Sequence, residues 1–430
     1  MKDLKQYREW FQACVKCGAC RATCPVFKVE NQEGGVARGK IALAQAMMDG
    51  QLFAEDRLIH DLSQCLLCGS CTHLCPNQVP TPDIVAAARM EVALKKGLSG
   101  FGRGVAALVT HKKAMDWMSK SGDLASRLLC RQIPETSGLR LRFPLPGIPK
   151  ARTLPKPSFT PFLKRDTRQT PSRSASPKVL FFTGCGINYL YPEIGECLVR
   201  ILNFMGIHVT LTDEQVCCGL PALSAGAGEA VETLAKRNLK TLKIHAFDCV
   251  LTACASCHDA LAGIYPSLGA EYQPFSEKTR DIIDFLMNMD LAGRLSSIPR
   301  SEARVKVTYH DPCHLRNHEL TQAPRQLLSA LPQVDYVEMA DAATCCGLGG
   351  TFSVHHYETS QKIGNQKANH VAQSGAKIVA TACPGCMIQL QDSLNRKNYP
   401  TRVTHLLELV CQALLYDQLS AKGPSNRTAL

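Results

Sequence analysis

The chain has 430 residues, 45% of them hydrophobic, with 22 cysteines and a formal net charge of +12. That length holds two or three domains with ordinary cores, and the composition excludes a largely disordered chain. The start, MKDLKQYREWFQ, has no apolar core and no run of about 18 apolar residues follows, so neither export nor membrane spanning is expected and the compartment is read as cytoplasmic. In such a compartment, cysteines clustered at short fixed spacings point to metal ligation rather than disulfides.

Residues 14–24 read CVKCGACRATC and precede Pro25; residues 65–75 read CLLCGSCTHLC and precede Pro76. A 4Fe-4S cube needs four thiolates, and three cysteines spaced three apart in a tight loop reach three of its irons. In a C-x2-C-x2-C-x3-C-P run the last cysteine ligates the other cluster, which is why such runs come in pairs. Cys14, Cys17, Cys20 and Cys75 are therefore assigned to one cubane cluster, and Cys65, Cys68, Cys71 and Cys24 to a second. Two zinc sites are the competing reading, but zinc takes cysteines in pairs and would leave the third and fourth of each run surplus. Two such clusters pass single electrons, so residues 1–100 read as a helical, two-cluster ferredoxin-like domain. Between the runs, ARGKIALAQAMMDGQL spaces Ile41, Leu43, Ala44, Met47 and Met48 close to a helical period and stops at Gly50, which predicts a helical hairpin within residues 31–64.

Residues 101–178 are expected to connect the domains. Between Lys95 and Lys178, eighteen Lys or Arg face Asp116, Asp123, Glu135 and Asp166, a balance of +14 that leaves the rest of the chain about neutral. Eight prolines from Pro144 to Pro177 predict an extended, poorly helical linker. Before it, GVAALVTHKKAMDWMSKSGDLASRLL predicts basic amphipathic helices with Val105, Leu108, Trp117, Leu128 and Leu129 on apolar faces. Two placements stay open: against an anionic membrane surface, or as a layer docked on the ferredoxin-like domain. Nucleic acid is not an expected partner, because no recognition motif accompanies the charge. GFGRG at 100–104 and GAGEAV at 226–231 lack the third glycine of a dinucleotide fingerprint, so FAD or NAD is expected on a separate chain.

The second half is a duplication. Cys185, Cys217, Cys218, Cys254 and Cys257 recur as Cys313, Cys345, Cys346, Cys383 and Cys386, at offsets of 128 and then 129 residues. Residues 179–300 and 301–430 are read as the two copies. Strand-like runs such as KVLFFTGC, VKVTYHDPC, DCVLTACASC and KIVATACPGC end on these cysteines and alternate with amphipathic stretches, a parallel α/β pattern. Ligand sites in such sheets form beyond the carboxyl ends of strands, where the cysteines fall. Overall the fold class is α+β, the helical ferredoxin-like domain followed by two repeated α/β units. Cys130, Cys197, Cys249 and Cys411 have no matching partner and read as plain buried thiols. His258, His310, His314 and His318 flank the cysteines and read as hydrogen-bond donors beside the sites or as solvated residues, rather than ligands. His355 and His356 are left unassigned.

The pattern C-xn-CCG-xn-C-x2-C resembles the CCG domain of heterodisulfide reductase subunits, which implies a noncubane 4Fe-4S cluster bound by five cysteines in each copy, or zinc in place of one. The full order, paired ferredoxin runs and then two CCG units, is similar to the iron–sulfur subunits of glycolate oxidase, D-lactate dehydrogenases and anaerobic glycerol-3-phosphate dehydrogenase. ARGKI, CCGLGGTFSVHHYE and RVTHLLELV are the best local matches to the glycolate oxidase subunit. Those subunits can lack cysteines of the C-x2-C pairs; both pairs are intact here, which moves the chain toward the heterodisulfide reductase type of site. The resemblance implies an electron-transfer subunit of a lactate or glycolate dehydrogenase, an oxidoreductase. Its partners would be an FAD-containing dehydrogenase subunit and membrane quinone or another acceptor, with peripheral association at the inner face of the cell membrane. A CCG site that itself cleaves a disulfide substrate is the alternative.

Overall fold

A computed structural model describes residues 3–133, 138–143, 149, 151–166 and 177–421, with side-chain burial described as far as residue 415. The two N-terminal cysteine runs are carried by a helical unit. Helices Ala37–Met48 and Asp56–Ser63 form the expected hairpin, and Arg8–Ala13 and Thr81–Lys96 pack against it. Leu4, Phe11, Ile41, Ala44, Met47, Leu58, Leu62, Ile84 and Ala88 fill the core between them. Each cysteine loop turns through two left-handed residues around its second cysteine: Lys16 (φ 57°) and Gly18 (φ 86°) in the first run, Leu67 (φ 54°) and Gly69 (φ 72°) in the second. Glycine meets that conformation freely, whereas Lys16 and Leu67 bear a strain of roughly 1–2 kcal/mol each.

The connecting segment departs from expectation. Helices Gly100–Thr110 and Lys112–Leu129 dock on the first duplicated unit, not on the ferredoxin-like domain. The Tyr189 hydroxyl donates to Asp116 Oδ1 (2.7 Å), and the first of the two helices lies against Leu220–Ser224 and Gly228–Leu242. The Lys112–Leu129 helix buries Met115, Ser119 and Asp123, so its inward stripe is largely polar and Trp117, Leu128 and Leu129 face solvent instead. Much of the expected proline-rich linker (144–148, 150 and 167–176) lies outside the described residues. Its described part includes a short antiparallel sheet that the sequence did not announce: β1 (Cys130–Gln132), β2 (Gly138–Leu141) and β3 (Leu154–Pro155), in that order. This strap is pinned to the second unit by the Arg140 guanidinium donating to Asn395 O (2.9 Å), Arg152 to Ser353 O (3.0 Å) and the Thr153 N–H to Asp392 Oδ1 (2.6 Å).

The duplicated units each hold a four-stranded parallel sheet. The first comprises β4 (Val179–Phe181), β5 (Val209–Thr210), β6 (Cys249–Thr252) and β7 (Thr279–Asp281), ordered β5-β4-β6-β7. The second comprises β8 (Val305–Tyr309), β9 (Val334–Tyr336), β10 (Ile378–Thr381) and β11 (Arg402–His405), with the equivalent order β9-β8-β10-β11. β4, β6, β8 and β10 are the central strands; β4, β6 and β10 are buried along their whole length, and β8 over its last three residues, as a sheet covered on both faces requires. The two units face each other: the Ala255 N–H donates to Ala382 O (3.2 Å), and His405 Nε2 lies 3.0 Å from Ala253 O.

Candidate metal centres

In the helical unit the cysteines separate into the two sets read from their spacing. Cys14, Cys17, Cys20 and Cys75 line one cavity of about 130 Å³, with Cys71 at its edge. Cys24, Cys65, Cys68 and Cys71 line a second, tighter one. Burial holds the Cys24 thiol up at about 11 and raises that of Cys71 further, so these sulfurs are poor thiolates until a cation meets them. Four converging sulfurs around a small cavity fit a cubane cluster.

The ARGK stretch serves both cavities. The Arg38 guanidinium donates to Lys16 O (3.2 Å) in the first loop and is fixed by a bidentate pair with Glu33 (2.8 Å to each oxygen). Two residues on, Lys40 points the other way; it is 1% exposed, donates to Gly35 O and lines the second cavity. Burial lowers its pKa while the thiolates of Cys65 and Cys24 oppose the shift. Gly39 between them has no room for a side chain, since a Cβ would stand 1.9 Å from Glu33 O. Arg89 adds a further buried cation, donating to Leu62 O, Ser63 O, Cys65 O and, across the domain boundary, Ser224 O (3.1 Å). A reduced iron–sulfur cluster with four thiolates is anionic, and these cations are placed to offset it. Neither Lys40 nor Arg89 was singled out by sequence reasoning; the ARGKI match was the one available signal.

In each duplicated unit three segments converge past the carboxyl ends of the strands. Cys185 follows β4 on helix Gly184–Tyr189, Cys217 and Cys218 follow β5, and Cys254 and Cys257 follow β6. Cys313, Cys345, Cys346, Cys383 and Cys386 are placed equivalently. The glycine of each CCG triplet is demanded by the backbone, for Gly219 has φ 92° and Gly347 φ 96°. Gly184 is required by contact, because a Cβ there would stand 2.4 Å from Cys257 Sγ. Cys185 and Cys217 Sγ are 3.8 Å apart. Cys218 is contacted by the Cys217 and Cys257 thiols, which pull its pKa down to about 5. Cys346, contacted by Cys345 and Cys386, is lowered likewise. Both adjacent cysteines of each pair thus face one site. Five converging sulfurs per unit exceed what a single cube or zinc ion takes and fit the larger five-cysteine centre.

The sets also meet one another. The Cys68 side chain reaches Cys345, and Cys254 reaches Cys383 where the two units face each other. The Cys-rich sites therefore run in series: the first ferredoxin-type set, the second, the second CCG site, the first CCG site.

The flanking histidines divide. His318 Nε2 lies 3.1 Å from Asp259 Oδ1 and His314 Nδ1 3.2 Å from Ser256 Oγ, which in turn is 3.7 Å from Cys383 Sγ, the hydrogen-bonding placement expected of them. His310 differs: it is fully buried, one of its ring nitrogens and the Cys346 and Cys386 sulfurs all lie within 4.8 Å of one another, and neither ring nitrogen has a hydrogen-bond partner. Of the four unmatched cysteines, Cys130 and Cys249 are buried singly, but Cys197 and Cys411 touch, and the Arg200 guanidinium donates to Cys411 Sγ (3.3 Å). His356 Nε2 is 2.7 Å from Ser63 Oγ, joining the second unit to the helical one.

A model for a 4Fe-4S dicluster domain matches residues 10–79, and one for a cysteine-rich CCG domain matches twice, at 179–262 and 307–391. Together these matches span more than half of the chain. It belongs to the iron–sulfur proteins that join a dicluster domain to two CCG domains. Both kinds of domain indicate iron–sulfur clusters. A subunit of the fumarate reductase (CoM/CoB) of Methanothermobacter marburgensis is 28% identical over 419 residues, covering 96% of this chain and 73% of that one. A probable glycolate oxidase iron-sulfur subunit of Bacillus subtilis is 27% identical over 448 residues (96% and 98%). A subunit of the anaerobic glycerol-3-phosphate dehydrogenase of Escherichia coli K12 is 28% identical over 417 residues (94% and 98%). These relatives are subunits of oxidoreductase complexes, and this chain is an oxidoreductase subunit of the same build.

Proposed function

We propose that this chain is the electron-transfer subunit of a flavin-dependent dehydrogenase for a 2-hydroxy acid, lactate or glycolate, and delivers electrons toward membrane quinone. The observation that carries the reading is the serial arrangement of four cysteine sets, from Cys14 through the Cys68–Cys345 and Cys254–Cys383 junctions to Cys185. Bound in these sets, iron–sulfur clusters supply one-electron carriers. Cys14, Cys17, Cys20 and Cys75 would hold the first, and Cys24, Cys65, Cys68 and Cys71 the second. Cys313, Cys345, Cys346, Cys383 and Cys386 would hold the third, and Cys185, Cys217, Cys218, Cys254 and Cys257 the fourth. The chain's own residues fix the order of these sets and place Arg38, Lys40 and Arg89 against their charge. The hydride-accepting step belongs to a flavoprotein partner, in keeping with the incomplete glycine fingerprints.

Anaerobic purification tests this directly. The chain should co-elute with a flavoprotein, contain about sixteen iron atoms, and oxidise neither acid alone. Near eight iron with no other metal would remove both CCG assignments, and substrate oxidation by the flavin-free chain would end the proposal.

One observation favours a second reading. Both C-x2-C pairs are intact and meet at Cys254 and Cys383, as a centre that binds and cleaves a disulfide would need. Cys218→Ser and Cys346→Ser separate the two. In the first reading each slows quinone reduction while flavin reduction by the hydroxy acid continues. In the second, only one of them abolishes disulfide reduction, and hydroxy-acid oxidation is absent throughout.

A further inference from the structure

The two CCG units repeat their cysteines but not their surroundings. His310 stands one residue beyond β8, three before Cys313; the equivalent position in the first unit, three before Cys185, is Phe182. Both side chains are fully buried. Phe182 is an ordinary core residue of its sheet. His310 brings a polar ring into the same place, and neither Nδ1 nor Nε2 has a hydrogen-bond partner.

Nearby backbone does not satisfy the ring. The Ala342 carbonyl lies close to it but outside hydrogen-bonding geometry, and already accepts from the Asp311 N–H (3.2 Å) and Lys367 Nζ (3.2 Å). Burying an imidazole with both nitrogens unpaired is unfavourable, and native proteins avoid it. What the ring does have within reach is sulfur: one of its nitrogens, Cys346 Sγ and Cys386 Sγ form a mutually close triad within 4.8 Å. A neutral imidazole and thiolates together are a donor set for iron or zinc.

We propose that His310 is a ligand to the metal of the second CCG site, which gives that centre a nitrogen donor the first one lacks. This rests on the assignment of metal to that site, and it makes the two centres chemically unlike. The same asymmetry extends outward. Lys367, 2% exposed, occupies the helix position that Asn238 holds 129 residues earlier, so a buried cation stands beside the second site where the first has an amide. The neutral ring leaves the charge of the five thiolates unchanged, and the buried ammonium of Lys367 nearby offsets it. If iron occupies it, the second site therefore has the higher reduction potential of the two. If zinc does, it is redox-silent and the nitrogen completes a mixed N/S shell.

The test uses the full chain with its co-purifying partner, unlabelled and with 15N-histidine. X-ray absorption at the iron and zinc edges identifies which metal carries a nitrogen neighbour, and pulsed EPR of reduced or oxidised protein reads histidine hyperfine coupling on an iron centre. The expected result is one histidine nitrogen in the shell of a single centre, lost in His310→Phe, which installs the residue of the first unit. It should be retained in Cys218→Ser, which alters only the first site. Unchanged signals from the two ferredoxin-type clusters would show that His310→Phe is folded, and the wild-type spectra stand without any variant. An all-sulfur shell at every metal, a histidine signal that survives His310→Phe, or a second CCG site without metal would overturn the proposal. Absence of a flavoprotein partner would overturn the functional reading and leave this one intact.

Discussion

The Arg316 guanidinium donates to Cys68 O at 2.7 Å and to Ala343 O at 2.6 Å, clamping a ferredoxin-type cysteine loop to the segment that leads into the second CCG pair. Arg316 lies three residues beyond Cys313 and 248 residues from Cys68 in sequence. The helical unit therefore meets the second CCG site directly.

Replacing Arg316 by Met should loosen that junction. Two carbonyls lose a charge-assisted donor, a cost of about 1–3 kcal/mol for each if left buried and unpaired. Iron content should be unchanged, because no thiolate is removed. Freeze-quenched EPR after rapid reduction should show the ferredoxin-type signals persisting longer before the CCG signals respond. Unaltered transfer in a variant with normally destabilised folding would show that the clamp is only structural.

Lys40→Met addresses the second ferredoxin-type set. Removing a buried cation several ångströms from an anionic centre disfavours its reduced form by on the order of 2 kcal/mol at an effective dielectric constant near 20, about 90 mV for one electron. The potential of the cluster proposed for Cys24, Cys65, Cys68 and Cys71 should fall, and that proposed for the Cys14 set should stay in place. An EPR-monitored redox titration resolves the two. Equal shifts in both, or none, would contradict the placement of Lys40 under one set alone.

The cysteine sets were legible because ligand chemistry fixes local spacing: two residues between ligands suits one loop around one cube, and the nearly constant offset of 128 and then 129 residues exposed the duplication. The parallel sheets followed from apolar runs ending on cysteines. What the sequence could not disclose are meetings between segments far apart in the chain, such as Arg316 with Cys68, Cys254 with Cys383, or Cys197 with Cys411. The fourth strands β7 and β11 were missed because they are three and four residues long with no apolar alternation. His310 was read as a hydrogen-bond donor or solvated residue because its spacing from Cys313 resembles that of any flanking histidine; only its burial without a hydrogen-bond partner, close to Cys346 and Cys386, distinguishes it. The docking of the basic helix on the first duplicated unit was not foreseen because its inward face is Met115, Ser119 and Asp123, a stripe with no hydrophobic signature.

Stability should carry a pH signature from Asp281. Its Oδ1 caps helix Ile282–Asn288 by accepting from the Ile283 N–H (2.9 Å), but Oδ2 is buried without a partner, and desolvation raises the carboxyl to about 7. A folded-state pKa above the unfolded one means that the native protein binds the proton more tightly. The group's stabilising contribution is thus complete below about pH 4 and is lost as pH rises toward 7, roughly 4 kcal/mol in all. Asp281→Asn keeps an oxygen for the cap and removes the charge. Thermal unfolding of the variant should match the wild type near pH 4 and exceed it at pH 8. A wild-type advantage at pH 8 would mean that Asp281 is ionised and partnered in the fold.

The outward face of helix Lys112–Leu129 makes the final prediction. Trp117, Leu124 and Leu128 are 72%, 61% and 71% exposed, and Lys113, Lys120 and Arg127 stand among them. No helix among the described residues is long and apolar enough to cross a membrane. Exposed apolar side chains at helical spacing, ringed by cations, suit the interface of an anionic bilayer, with the apolar groups entering the headgroup boundary and each basic residue adding about 1 kcal/mol. That is the chemistry a subunit would use to bring its electrons to a quinone dissolved in lipid. Co-sedimentation with vesicles containing anionic lipid should weaken steeply as ionic strength rises, because surface charges are screened beyond about 8–10 Å. Trp117→Glu with Leu128→Glu should abolish binding at any salt concentration while leaving the buried Met115 face, the iron content and electron uptake from the flavoprotein unchanged. If the double variant binds as the wild type does, or neutral vesicles bind equally well, this face serves a protein partner rather than a lipid surface.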